Sequence, residues 1–208
     1  MKNLNLRNAL RALAFLAAAS VASAGAITYT FTMTATGSVN GTAFTGVPLT
    51  FTSAGDTSNI SNSTGYGPLV YENVISAGLT SFSVGAFNGT LTNLVDIWGC
   101  QNTTVCDGGA NVVEFIPGIL NGSEIDDFNP VFQTYALGAS GPVNSSGTQL
   151  FLPFDAPTSS GALVISALQN LTFSATTTPE PGTLVLVSGA LAALVGLKRK
   201  RSGRQHRG

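Results

Sequence analysis

The chain has 208 residues, 44% of them hydrophobic and only 9% charged, with a formal net charge of −1. All nine Lys and Arg sit at positions 2, 7 and 11 or from 198 onward, and the single His is His206, so residues 25–178 carry no cationic side chain. That excludes nucleic-acid binding, which needs Lys and Arg against phosphates. It also excludes Ser-His-Asp, Cys-His and Ser-Lys catalysis, His-based zinc sites and Arg or Lys phosphate clamps.

Residues 1–24 read as a signal peptide. Lys2, Arg7 and Arg11 make a positive start, Ala12 to Ala19 a short apolar run, and Ala22-Ser23-Ala24 the small-x-small pattern a signal peptidase accepts. Cleavage is expected after Ala24. The run is too short for a membrane anchor, which needs roughly 20 apolar residues.

Residues 25–178 suffice for one domain. Of the ten Asp and Glu residues only Glu180 lies outside it, so the domain carries about −9 when all its carboxylates ionise. Ile27 to Ala35 alternates apolar residues with Thr, the period of a strand with one wet face. Asn40-Gly41 marks a tight turn, and Val47 to Phe51 resumes the alternation. Further strands are expected over Leu69–Ile75, Leu79–Phe87, Leu91–Trp98, Asn111–Ile116, Val131–Leu137, Gln149–Phe154 and Ala162–Ala175. A second hairpin turn is expected at Asn88-Gly89, a helical turn over Glu124–Phe128, and an extended linker over Thr176–Pro179. About eight to ten short strands with turn signals between them predict an all-β fold, a single antiparallel β-sandwich of jelly-roll type over residues 25–175. The recurrent Asn-x-Ser/Thr triplets are read as composition.

Cys100 and Cys106 are the only cysteines, and an oxidising setting predicts a disulfide between them. Trp98, the single tryptophan, is either a strand-end core residue or an aromatic platform for a glycan. Glu124, Asp126 and Asp127 form the densest acidic cluster. With no cation in the domain to pair with, they are read as a solvated acidic loop, with Ca²⁺ coordination as the alternative; hard cations accept several such oxygens, but the twelve-residue calcium-loop pattern is absent. Carboxylate pairs such as Glu124 with Asp126 are too common to argue for glycoside hydrolysis, and neither a catalytic residue nor a cofactor is expected.

The C-terminal region, residues 176–208, has three parts in order. Pro179-Glu180-Pro181 precedes an apolar run from Thr183 to Leu197, then Lys198-Arg199-Lys200-Arg201, and the chain continues from Ser202 to Gly208. Even a helix begun at Gly182 would rise only about 24 Å, short of a roughly 30 Å hydrocarbon core, a gap that snorkelling basic residues and local thinning close. The basic cluster predicts a cytoplasmic C-terminus. Together these parts resemble the PEP-CTERM sorting signal. The resemblance implies recognition by an exosortase, removal or exchange of the tail near Pro179–Pro181, transient residence in the inner membrane, and association with exopolysaccharide or biofilm outside the cell.

Overall fold

The computed structural model describes residues 25–63, 69–101, 111–118, 123–145, 147–151 and 154–178. Residues 1–24, expected to be a signal peptide, residues 179–208, expected to hold the sorting signal, and Cys106 lie outside the described residues. Ala26–Thr178 forms one compact unit. Among the described residues, no helix is long and apolar enough to cross a membrane.

The fold is all-β, with two antiparallel sheets. The first contains β1 (Ala26–Val39), β2 (Thr42–Asp56), β5 (Thr80–Val84), β6 (Phe87–Thr90), β10 (Ser140–Asn144), β12 (Phe154–Thr158) and β13 (Gly161–Thr178). It is 7-stranded, in the order β10-β13-β1-β2-β5-β6, with β12 also paired to β13. The second contains β3 (Ser61–Asn62), β4 (Val70–Ile75), β7 (Val95–Cys100), β8 (Val112–Pro117), β9 (Glu124–Phe128) and β11 (Gly147–Phe151). It is 6-stranded, in the order β11-β9-β8-β7-β4-β3.

The alternation in β1 does what its sequence dictates. Ile27, Tyr29, Phe31, Met33 and Ala35 are buried, and the intervening threonines are only half-buried. Asn40 and Gly41 both have positive φ, as a two-residue hairpin between β1 and β2 demands. The core joins the two sheets through aromatic rings. Phe115 of β8 lies 4.6 Å from Phe51 of β2 and 5.3 Å from Phe31 of β1, centroid to centroid. A polar link crosses as well: Asn73 Nδ2 in β4 donates to the Tyr29 hydroxyl (2.9 Å), which donates to the Leu137 carbonyl (3.0 Å).

Several elements differ from the sequence expectation. Glu124–Phe128 is strand β9, not a helical turn, because β8 and β11 pair with it on both sides, and ladder neighbours outweigh intrinsic propensity. Val131–Leu137 is not a strand: Pro130–Thr134 forms a 3-10 turn, started by Pro130 and by the Asn129 side chain, which accepts from the Val131 N–H. The second hairpin turns at Gly85-Ala86, where Gly85 supplies a positive φ at the first central position. Asn88-Gly89 lies within β6, and a Cβ at position 89 would meet Ser159, Phe82 and Ser160 at 2.8–2.9 Å. Leu91–Trp98 is not one strand either: β7 starts only at Val95, while Leu91 makes an isolated bridge to Thr158. Gln149–Phe154 divides between β11 and β12, in different sheets. Thr176–Thr178 is no linker, since it pairs with Ala26–Thr28 as the end of β13.

Candidate functional site

The 6-stranded sheet gathers most of the domain's charge. Glu72 lies on β4, Asp96 on β7, Glu114 on β8, and Glu124, Asp126 and Asp127 on β9. Successive side chains of a strand point to opposite faces. In β9, Ile125 belongs to the main core, so Asp127 shares its inward face, while Glu124, Asp126 and Phe128 face outward.

On the outward face the register sets one row across the sheet. Glu72 is opposite Trp98, Trp98 opposite Glu114, and Glu114 opposite Asp126. Glu114, Glu124 and Asp126 each place an oxygen within 4.8 Å of the others. Glu114 and Asp126 are buried and Glu124 is half-buried. Of the acidic residues singled out in the sequence, the structure therefore brings Glu124 and Asp126 together and sends Asp127 into the interior. Glu114 joins them, although it lies ten residues before Glu124 in sequence. Only the β8–β9 pairing makes them neighbours, and no local motif announces it.

The same face holds the tryptophan. Trp98 is half-buried against the small cluster of Val70, Cys100, Val112 and Phe128. Its indole N–H donates to Asp96 Oδ2. Asp96 is almost fully buried, and burial pushes its carboxyl up to about 6; the Trp98 hydrogen bond opposes the shift and the Glu72 charge adds to it. Burial likewise pushes Asp127 up to about 7, partly offset by the Ser145 side chain. Cys100, at the end of β7, is disulfide-bonded.

Chemically, three clustered carboxylates can hold a hard cation, since calcium takes six to eight oxygens in flexible geometry. Acidic groups cluster without an ion often enough that proximity alone does not define a metal centre. For glycoside hydrolysis two carboxyls stand about 5–5.5 Å or 6.5–9.5 Å apart on either side of a reachable bond. Here the two best buried members, Glu114 and Asp126, are closed off from solvent, so the arrangement does not present an acid and a base to a substrate.

At the opposite ends of β2 and β4 lies an open cleft of about 280 Å³, lined by residues including Asp56, Asn59, Val74 and Leu79. Asp56 is committed there to local structure, because its side chain accepts from the Ser58 N–H at 2.7 Å. Comparison with protein-family models, with curated proteins and with solved structures finds no match.

Proposed function

We propose that this is a non-enzymatic protein of the bacterial cell surface or extracellular matrix. It is exported with a signal peptide cleaved after Ala24. An exosortase then sorts it at Pro179, Glu180 and Pro181. Before sorting it is held in the inner membrane by the apolar helix of residues 183–197, with a cytoplasmic C-terminus. The exported part is a single antiparallel β-sandwich of jelly-roll type, and its surroundings are exopolysaccharide or biofilm. No cofactor is required.

The observation that carries this reading is the placement of charge. Every Lys and Arg sits in one of the two terminal signals, and none in the domain between them. Basic residues at both ends of a hydrophobic-flanked chain are what translocation and the positive-inside rule use. A domain without His, Lys or Arg has none of the His- or Lys-activated nucleophiles of many hydrolytic enzymes, which supports a structural or binding role.

The test is fractionation of the producing cell. The wild-type protein is expected outside the cytoplasmic membrane. Replacing Pro179, Glu180 and Pro181 together by Ala is expected to trap it in the inner membrane. Wild-type protein found soluble in the cytoplasm would end the proposal.

A second reading, a carbohydrate-binding module, has one observation in its favour. Half-buried Trp98 lies on an outward face opposite half-buried Glu72, a pairing of aromatic ring and hydrogen-bonding carboxylate that suits a sugar. A glycan array run with wild type and Trp98→Ala decides it: binding lost with the ring supports the module, and no glycan bound by either form removes it.

A further inference from the structure

The outward face of the 7-stranded sheet has the opposite chemistry. One row across it contains Ser174, Thr30, Thr52, Ser81 and Thr90, each opposite the next on β13, β1, β2, β5 and β6. The adjacent row contains Asn144, Thr172, Thr32, Thr50, Ser83 and Asn88, from β10 to β6. Neighbouring strands stand about 4.8 Å apart, and the rows, two residues apart along a strand, about 6.8 Å. Every position in both rows is Ser, Thr or Asn. Asp56 and Asp155, on strands of the same sheet, lie outside them.

These hydroxyls are largely uncommitted. Thr172 Oγ1 donates to Asn144 Oδ1 and Ser81 Oγ to the Thr52 carbonyl. Thr30, Thr32 and Thr50 make no side-chain hydrogen bond to other described residues. All three are half-buried, and β-branching restricts their χ1, so the strand register sets the spacing of the hydroxyls. Ser81, Ser83 and Asn88 are exposed.

We propose that this hydroxyl face is a docking surface for an uncharged, hydroxyl-rich polysaccharide laid across the strands. The inference deepens the extracellular reading and rests on it for the partner's presence. Charge complementarity selects the partner. A polyanion finds no cation anywhere in the domain, and a polycation finds no carboxylate within either row. A lipid surface or an apolar protein patch finds no aromatic or large aliphatic anchor there, and such anchors carry protein interfaces. A hydroxyl both donates and accepts, so a rigid hydroxyl lattice can match sugar hydroxyls in either polarity. Each contact exchanges almost evenly with water. Recognition therefore depends on many simultaneous contacts, and long polymers should bind where short oligosaccharides do not.

The experiment is electrophoresis of the purified full-length chain, in mild detergent, through native gels cast with hydroxyethyl cellulose, with dextran, with alginate or with no polymer. Retardation is expected in at least one uncharged polymer and not in alginate, with no competition from short oligosaccharides. The triple variant Thr30→Val, Thr32→Val, Thr50→Val keeps the β-branched shape and should bind about tenfold more weakly. Should that variant fail to fold, Ser81→Glu with Ser83→Glu, at exposed positions, should give a comparable loss. Trp98→Ala should leave retardation unchanged. The proposal is overturned if no uncharged polymer retards the wild type, if folded hydroxyl variants are retarded equally, or if Trp98→Ala alone abolishes binding. It is also overturned if the triple variant instead loses a concentration-dependent dimer, which would make the face a self-association surface. Fractionation reads the other proposal separately. A chain that binds polymer but stays cytoplasmic keeps the docking surface and loses the extracellular role, and an external chain that binds nothing does the reverse.

Discussion

Tyr29 is buried among phenylalanines, yet its hydroxyl ties three elements together. It accepts from Asn73 in the 6-stranded sheet and donates to the Leu137 carbonyl after the 3-10 turn. Burial pushes it up to about 12, so it remains a protonated donor at neutral pH. Tyr29→Phe keeps the ring and strands both partners in a dry core. It should cost about 1–3 kcal/mol, read as a lower urea midpoint at unchanged slope. Asp96 and Asp127 act in the opposite direction. Each has a folded-state value raised above the ordinary carboxylate value of 3.8, to about 6 and about 7. The folded chain thus holds protons that the unfolded chain has released. Their contribution is full below about pH 4 and is lost as pH rises through 6 and 7. A melting temperature higher at pH 5 than at pH 8 is expected, with a smaller difference in Asp127→Asn. A melting temperature that rises across that interval would contradict the burial of these groups.

Strand β7 carries both Asp96 and Trp98, so the lone tryptophan reports on a titrating neighbour. At its end Cys100 closes a short disulfide loop; Cys106 is the only other cysteine. Reduction should lower stability by roughly 2–3 kcal/mol on the chain-entropy account, measured by denaturation with and without reductant. The regular elements were the legible ones. The Thr alternation of β1 and the Asn40-Gly41 turn have local signals strong enough to stand alone. Elements decided by partners were not. The acidic run 124–128 became a strand only because β8 and β11 flank it. Gly89 looked like a turn residue, whereas close packing against Ser159 and Ser160 is what requires it. At Val131–Leu137 the apolar residues suggested a strand, whereas Pro130 and the Asn129 cap start a 3-10 turn there. The candidate site was half visible. Glu124 and Asp126 stood out by density, whereas Glu114 enters only through strand pairing, and the inward turn of Asp127 follows from alternation once β9 is known to be a strand. The hydroxyl face could be seen in β1 as one Thr row, but not as a lattice, because the register of five partner strands is a tertiary fact.

At the scale of the molecule, charge is sorted by place. The two ends of the sequence, positions 2–11 and 198–207, hold all the cations, one sheet holds most of the carboxylates, and the outward face of the other holds rows of neutral hydroxyls. The proposed account joins these facts: the cations direct export and are then removed, leaving an acidic, base-free domain outside the cell. The intact mass of the protein recovered from outside the producing cell tests this most directly. The account predicts a chain that begins at Gly25, ends near Pro179–Pro181 and lacks two hydrogens for the disulfide, with any added mass at the new C-terminus marking an attachment. A mass that still contains Leu184 to Gly208 would contradict it and leave a tail-anchored membrane protein.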